Sequence, residues 1–239
     1  MKLKLFLLLI ITQLFSVNAQ TKWTLGAVFR PEIGYRSLFG KDNIGRSDLI
    51  IGLRDDTETP RWCYTAGVSA QYQLKPRLNI ESGILISDKG FQTKNIPVTT
   101  LENPDPVINF STMRFVYHHY YLDIPITAHY QIKLNETYQL QIGAGICNSF
   151  NTDVYQTSYF TNESGVTTRQ KSTDKDRFVY QKYLLSSVLS ARMERPINEK
   201  ISISLEVRGQ FSHSNTFLNS YIREHFWTSG IGIGAWWRL

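Results

Sequence analysis

The sequence predicts an all-β fold, an eight-stranded antiparallel up-and-down transmembrane β-barrel with short periplasmic turns and long extracellular loops. Three observations carry this expectation. Segments of about 10 to 15 residues alternate apolar side chains with polar ones or glycine, the mark of strands with two unlike faces. The connections between these segments alternate short and long. The apolar faces end in aromatic rings at both ends, as at two membrane–water interfaces. Composition agrees. Aromatic residues at 13% exclude a disordered chain, and the shortage of Ala, Glu, Lys and Leu argues against a helical bundle. Mean hydropathy is -0.25. Beyond residue 20 no apolar run approaches the ~18 to 20 residues of a spanning helix. The chain is therefore either a soluble β-rich protein or a membrane protein that hides its hydrophobicity by alternation.

The first nineteen residues have the pattern of a signal peptide. Lys2 and Lys4 precede an apolar run from Leu5 to Ile11, and Val17-Asn18-Ala19 is a small-x-Ala cleavage site. Residues 20–239 are then one barrel domain of the outer membrane. Formal charge is +6, falling to about +4 once Lys2 and Lys4 are removed. No Lys/Arg cluster stands on one element, so no nucleic-acid partner is expected.

Eight segments follow in order. Residues 23–38 set Trp23, Leu25, Phe29, Ile33 and Tyr35 against Arg30, Glu32 and Arg36. Residues 61–74 set Trp62, Tyr64, Val68 and Tyr72 against Cys63, Thr65 and Gln71, and residues 78–87 set Ile80, Ile84 and Ile86 against Asn79 and Glu81, with Leu85 an exception. Residues 113–132 carry Leu122, Ile124, Ile126 and Tyr130 opposite Tyr121, Asp123 and His129; Pro125 within them implies a bulge or a missing ladder bond. Residues 137–150 pair Tyr138, Ile142, Ile146 and Phe150 with glycines and Cys147. Residues 179–193 are less clean. Residues 201–212 place Leu205, Val207 and Phe211 opposite Glu206 and Arg208, and residues 227–239 place Trp227, Ile231, Ile233 and Trp237 opposite Gly230, Gly232 and Gly234.

Turns at 75–77, 133–136 and 194–200 are short; connections 39–60, 88–112, 151–177 and 213–225 are long. Tyr72, Tyr130, Tyr138 and Trp237 form an aromatic girdle on the short-turn side, and Tyr35, Trp62, Tyr64, Phe150, Phe211 and Trp227 form one on the long-loop side. Glycines gather on the polar face, and Gly209 is the exception on the apolar one. A ring of eight strands has a bore that side chains can fill, too narrow for a porin-like channel. Arg30, Glu32, Arg36, Glu81, Asp123, Glu206 and Arg208 are the expected lumen network, of mixed sign and able to pair across the bore. Neutralising Glu81 or Arg208 is expected to weaken resistance to unfolding.

Two stretches resemble the PorT-like outer-membrane β-barrel family of the Bacteroidota. They are Tyr121-Leu122-Asp123-Ile124-Pro125 in the fourth segment, and Leu78-Asn79-Ile80-Glu81-Ser82-Gly83 followed by Lys89-Gly90-Phe91 in the third and its loop. The resemblance spans the mature chain. It implies a barrel of the outer membrane, in a family some of whose members serve type IX secretion. The chain ends in Leu239 where such barrels commonly end in Phe, with Trp237 keeping an aromatic on that face.

No catalytic, metal or cofactor site is assigned. Gly230-Ile231-Gly232-Ile233-Gly234 has dinucleotide-motif letters but no helix to open. His118 and His119, as strand neighbours, point to opposite faces and cannot easily share an ion; His119 is expected in a lumen hydrogen-bond network. Ser212, His213 and Ser214, with Asp88 and Asp153 at similar height, are the candidates for an outer-membrane enzyme with a rim site, the alternative function. Cys63 and Cys147, on separated segments, are expected as free thiols. Asn109, Asn135 and Asn162 match a glycosylation pattern with little meaning in a bacterial setting. The expected partners are outer-membrane lipid along the apolar wall, and envelope or secretion proteins on loops 88–112 and 151–177. A soluble lipocalin-like binder, the third reading, requires the apolar face inside.

Overall fold

The computed structural model describes residues 22–41, 45–98, 110–135, 137–172, 180–216 and 221–239. The leader 1–19 and Asn109 lie outside the described residues. In chain order the elements are β1 Trp23–Gly40, α1 Arg46–Thr57, β2 Glu58–Thr59, β3 Arg61–Lys75, β4 Leu78–Lys89, β5 Gln92–Thr93, β6 Ile96–Pro97, β7 Thr112–Lys133, β8 Gln139–Thr161, β9 Thr167–Ser172, β10 Tyr183–Pro196, β11 Ile201–Ser212 and β12 Ile222–Arg238.

Eight long strands close a ring, in the order β1, β3, β4, β7, β8, β10, β11, β12 and back to β1. Every pairing is antiparallel. Closure comes from β1 on β12, running from Thr24↔Arg238 to Gly40↔Ile222. The described chain thus carries twelve strands, not eight: a ring of eight, with four short strands at the long-loop end. The long connections are also less featureless than expected. Residues 39–60 hold α1 and β2, and residues 88–112 hold β5 and β6. The segment expected to loop out at 151 runs on as β8 to Thr161 and folds back as β9. Contrast between the two faces fades beyond Phe150, but backbone pairing with β7 does not. Periodicity reports what each face touches, not where the ladder stops.

Local chemistry sets the turns. Asn135 Oδ1 accepts from the amides of Thr137 and Tyr138 at 2.9 and 2.7 Å. Asn198 Oδ1 does the same for Lys200 and Ile201 at 2.9 and 2.7 Å. An Asx side chain that mimics the backbone in this way fixes a tight reversal. Asn162 closes the β8–β9 hairpin, accepting from Val166 at 2.8 Å. Asn135 and Asn162, which fit a glycosylation pattern, are thus turn residues. At Pro125 the β4–β7 ladder skips from Ser82↔Ile126 to Leu85↔Asp123, the missing rung its lack of an N–H requires.

The two faces separate sharply. Val68, Ile84, Leu189 and Ile233 are 60 to 67% exposed on the outside. On the inside, Glu81, Arg192, His129 and Trp236 are nearly inaccessible. Glycine makes this filling possible. A Cβ at Gly26 would stand 2.4 Å from the Trp236 ring, and one at Gly143 would stand 2.6 Å from the His129 ring. Gly26→Val is therefore expected to displace Trp236 at a cost of about 1 to 3 kcal/mol, read as a lower urea midpoint for unfolding from lipid vesicles.

Candidate functional site

The lumen is a chain of paired charges. Glu206 on β11 accepts from Arg30 on β1 at 2.6 Å and from Arg192 on β10 at 3.2 Å. Arg192 donates to Glu81 on β4 at 2.7 Å and lies 4.3 Å over the Trp236 ring, whose Nε1 donates to Ser204 at 2.9 Å. His129 stands 3.4 Å from Glu81. Glu32 is 3.6 Å from Arg30 and accepts from Thr65 at 2.9 Å. Alternation on their strands points these groups inward, where pairing offsets the loss of water.

Two expectations need correction. Arg208 is buried beside Arg30, yet among the described residues it has no carboxylate within ion-pair distance, and its Nε lacks a hydrogen-bond partner. His119 does not join a hydrogen-bond network. Both its ring nitrogens are unpartnered, and the ring packs edge-on against Tyr180 and Phe226 at 4.4 and 4.8 Å.

Above the charge chain the long-loop end is stoppered. Phe91 is buried with Tyr121, Leu184 and Phe226. The guanidinium groups of Arg36 and Arg54 lie 5.4 and 5.3 Å over its ring. Arg36 pairs with Glu58 of β2, not across the bore, and lies 3.4 Å from Asp55 of α1. Arg54 reaches from α1 to Glu58 and to Glu224 of β12, each at 2.7 Å. Burial alone would lower the Arg54 pKa; these two carboxylates hold it above the ordinary arginine value. Lys89 pairs with Asp123 at 2.9 Å and lies 5.2 Å over the Tyr121 ring. Gly90 passes so close to the backbone of Tyr117 that a Cβ there would meet its carbonyl at 2.1 Å, and its φ of 144° suits glycine. The stretches Lys89-Gly90-Phe91 and Tyr121-Leu122-Asp123 thus meet in one stopper. Sequence reasoning missed Arg192, Lys89, Glu58, Arg54, Glu224 and Trp236. The parity of Leu189, Ala191 and Met193 already sets Arg192 inward, and that of Gly230, Gly232 and Gly234 sets Trp236 inward; Lys89 and Glu224 lie where β4 and β12 extend past the segments read from the sequence, and Arg54 and Glu58 depend on a loop folding back.

At the short-turn end the bore opens into a cavity of about 350 Å³, lined by the amides of Gln71, Gln73, Gln131, Gln139 and Gln141. Ile84, Ile142 and Ile231 all face outward, each more than half exposed, so the apolar face is not the inner one.

The family model for the outer membrane protein beta-barrel domain matches residues 43–234. The chain belongs to this family. It is therefore an outer-membrane protein, and its exposed apolar wall faces lipid. Among curated proteins no sequence match was found. Solved barrels of similar shape include Neisserial surface protein A, at 9% identity and TM-score 0.49 over 92% of this chain and 98% of that one. OprG from Pseudomonas aeruginosa gives 8% and 0.41 over 92% and 98%, and Ail of Yersinia pestis gives 9% and 0.33 over 89% and 99%. These likenesses concern backbone shape alone; the assignment rests on the family match.

In this family setting the aromatic residues gain a meaning. Trp62, Tyr64, Tyr130, Phe150, Phe211 and Trp237 are exposed on the outer wall, and Tyr35, Tyr72, Tyr138 and Trp227 are half-buried there. Several meet a neighbouring ring: Trp23–Tyr72 at 4.8 Å, Phe150–Tyr183 at 5.4 Å and Tyr35–Trp227 at 6.1 Å. The rim candidates for catalysis are scattered. Ser212 donates to the carbonyl of Ser214, whose own hydroxyl accepts from the Leu185 amide. Asp88 is held by Arg61 and His118. His213 contacts Ser187 at 2.5 Å, but among the described residues no carboxylate orients its other nitrogen. Cys63 and Cys147 are free and buried. Among the described residues no group of His, Cys, Asp and Glu is placed to hold a metal ion.

Two measurements check this geometry. Ile142→Arg, which sets a cation against lipid, is expected to cost about 2 to 4 kcal/mol in vesicle unfolding titrations. Glu206→Gln, which weakens two arginine contacts at once, is expected to cost about 3 kcal/mol, against about 1 kcal/mol or less for Arg208→Gln.

Proposed function

We propose that this protein is a non-conducting, non-catalytic outer-membrane barrel that works by binding at its outer face, in envelope assembly or protein export. One observation carries the reading: the investment beyond the ring is one-sided. β7 and β8, at 22 and 23 residues, run about twice the ~9 to 11 residues that cross the hydrocarbon layer. With β9 they raise a sheet above the wall, while the bore beneath is filled and stoppered. A scaffold with a closed lumen and one tall sheet offers surface, not passage. In this reading the short turns face the periplasm and the tall sheet faces outward, as in barrels of this kind. The finer resemblance, to PorT-like barrels of the Bacteroidota and a type IX secretion role, belongs to the same proposal. Lys89-Gly90-Phe91 and Tyr121-Leu122-Asp123, parts of the two stretches that resemble that family, meet in the stopper, which supports a shared closed architecture.

Wild-type protein in planar bilayers is expected to show no conductance steps, whereas Phe91→Ala with Arg54→Ala opens small ones. Replacing residues 154–179 with a short Asn-Gly turn is expected to leave a heat-modifiable barrel in the membrane yet reproduce the null phenotype in secretion of exported cargo. A wild-type protein that conducts, or a shortened one that supports secretion fully, refutes the reading.

A further inference from the structure

Past the outer girdle, the outward side of the tall sheet changes character. Arg114 of β7 lies over the Tyr159 ring at 4.8 Å, and Lys171 of β9 lies over the Tyr155 ring at 3.7 Å. Arg169 of β9 is the cross-strand neighbour of Tyr159, which in turn neighbours Arg114. Strand parity puts all five side chains on the face that continues downward into Tyr120, Leu122 and the lipid-facing wall. Among the described residues none of the three cations makes an ion pair with a carboxylate. The described carboxylates on this face, Asp88 beside Tyr120 and Asp153, already have partners, Asp88 in Arg61 and His118. Contact with a ring positions a cation without neutralising it.

Height identifies what the stripe meets. Arg114 lies eight residues beyond Leu122. At 3.3 Å per residue and the usual strand tilt, the stripe stands roughly 10 to 20 Å above the hydrocarbon. At that level the outward side of a barrel wall looks sideways into the headgroups of the outer leaflet. Phosphate suits Arg and Lys donors that have no carboxylate partner among the described residues, and the rings of Tyr155, stacked on His118 at 4.5 Å and lying under Lys171, and of Tyr159, lying under Arg114, hold two of those donors in place. We propose that Arg114, Arg169 and Lys171, with Tyr155 and Tyr159, bind the phosphorylated saccharide headgroup of an outer-leaflet lipid. This rests on the reading of an outer binding face and names one of its ligands.

The test uses the full chain folded in detergent micelles, titrated with purified lipid A, with enzymatically dephosphorylated lipid A, and with inorganic phosphate as competitor. Wild type is expected to bind lipid A at least tenfold more tightly than the Arg114→Gln/Arg169→Gln/Lys171→Gln variant. Dephosphorylated lipid is expected to bind both alike and weakly, and millimolar phosphate to leave lipid A bound. Arg114→Lys with Arg169→Lys keeps most of the affinity. Lys75→Gln with Lys200→Gln, at the other end of the barrel, keeps all of it. Heat-modifiable migration certifies the fold of each variant. Equal affinity of the triple variant, phosphate-independent binding, or displacement by free phosphate overturns the proposal. So does loss of an acidic peptide probe, poly-glutamate, from the triple variant while its lipid binding persists. The conductance and secretion assays judge the outer-face reading separately, since neither requires the lipid site.

Discussion

Closure of the ring by β1 and β12 is the constraint from which the rest follows. In hydrocarbon an unpaired backbone N–H or C=O costs several kcal/mol, so a sheet must leave no edge within the bilayer. Eight strands meet that demand with the smallest common bore, and a small bore has to be packed. Hence the glycines at positions 26 and 143, which yield their volume to Trp236 and His129. Hence also the placement of charge. Side chains too costly to show to lipid are sent inside, and once inside they must find one another. The path from Arg30 through Glu206 and Arg192 to Glu81 joins β1, β11, β10 and β4; β10 and β11 are neighbours, but β4 and β10 are three places apart in the ring of eight, so the path braces the barrel across its bore.

Filling the lumen has a second consequence. Ion pairs occupy the middle of the bore and Phe91 stoppers its long-loop end, so open volume remains at the short-turn end, in the cavity of about 350 Å³. Arg36 and Arg54 show how the two layers interlock. Both face Phe91 and both share Glu58, so the stopper and the loop that carries α1 hold each other in place. This filling is what favours the proposal of a role on the outer surface over one inside the bore.

Much of this was legible in the sequence, for a specific reason. A strand between lipid and lumen has side chains with one of two destinations, and period-two alternation records the choice residue by residue. Ile84, Ile142 and Ile231 point out, and Glu81, Asp123 and Glu206 point in, wherever alternation is clean. What alternation cannot record is pairing beyond the membrane. There neither face is set against hydrocarbon, and polar side chains such as Thr157 and Ser158 are buried on opposite faces, so the contrast that marked β8 as a strand is lost after Phe150 even though its ladder continues to Thr161. Partner choice is equally hidden. Arg36 looked like a lumen group by parity and is one, yet its carboxylate comes from β2, inside what read as a loop. Arg208 shares the parity of Glu206 but lies toward Arg30, and no sequence pattern distinguishes a paired inward charge from an unpaired one.

The outer sheet shows why the position of a cation matters more than its count. An exposed edge such as β9 invites unwanted pairing, and charged side chains on edge strands are a common guard against it. That need accounts for Arg169 and Lys171, which are exposed on the last strand of the sheet. It does not account for Arg114. Its strand, β7, is hydrogen-bonded to β6 on one side and to β8 on the other at that height, so Arg114 guards nothing. Nor does it rescue a buried partner, because its contact is the ring of Tyr159. An edge guard would scatter its charges between the two faces of the strand. Here β9 sends both cations to the face that already holds Arg114 and gives its other face Thr168, Gln170 and Ser172. Protection of the edge and recognition of an anion can share residues, and only the second requires them to share a side.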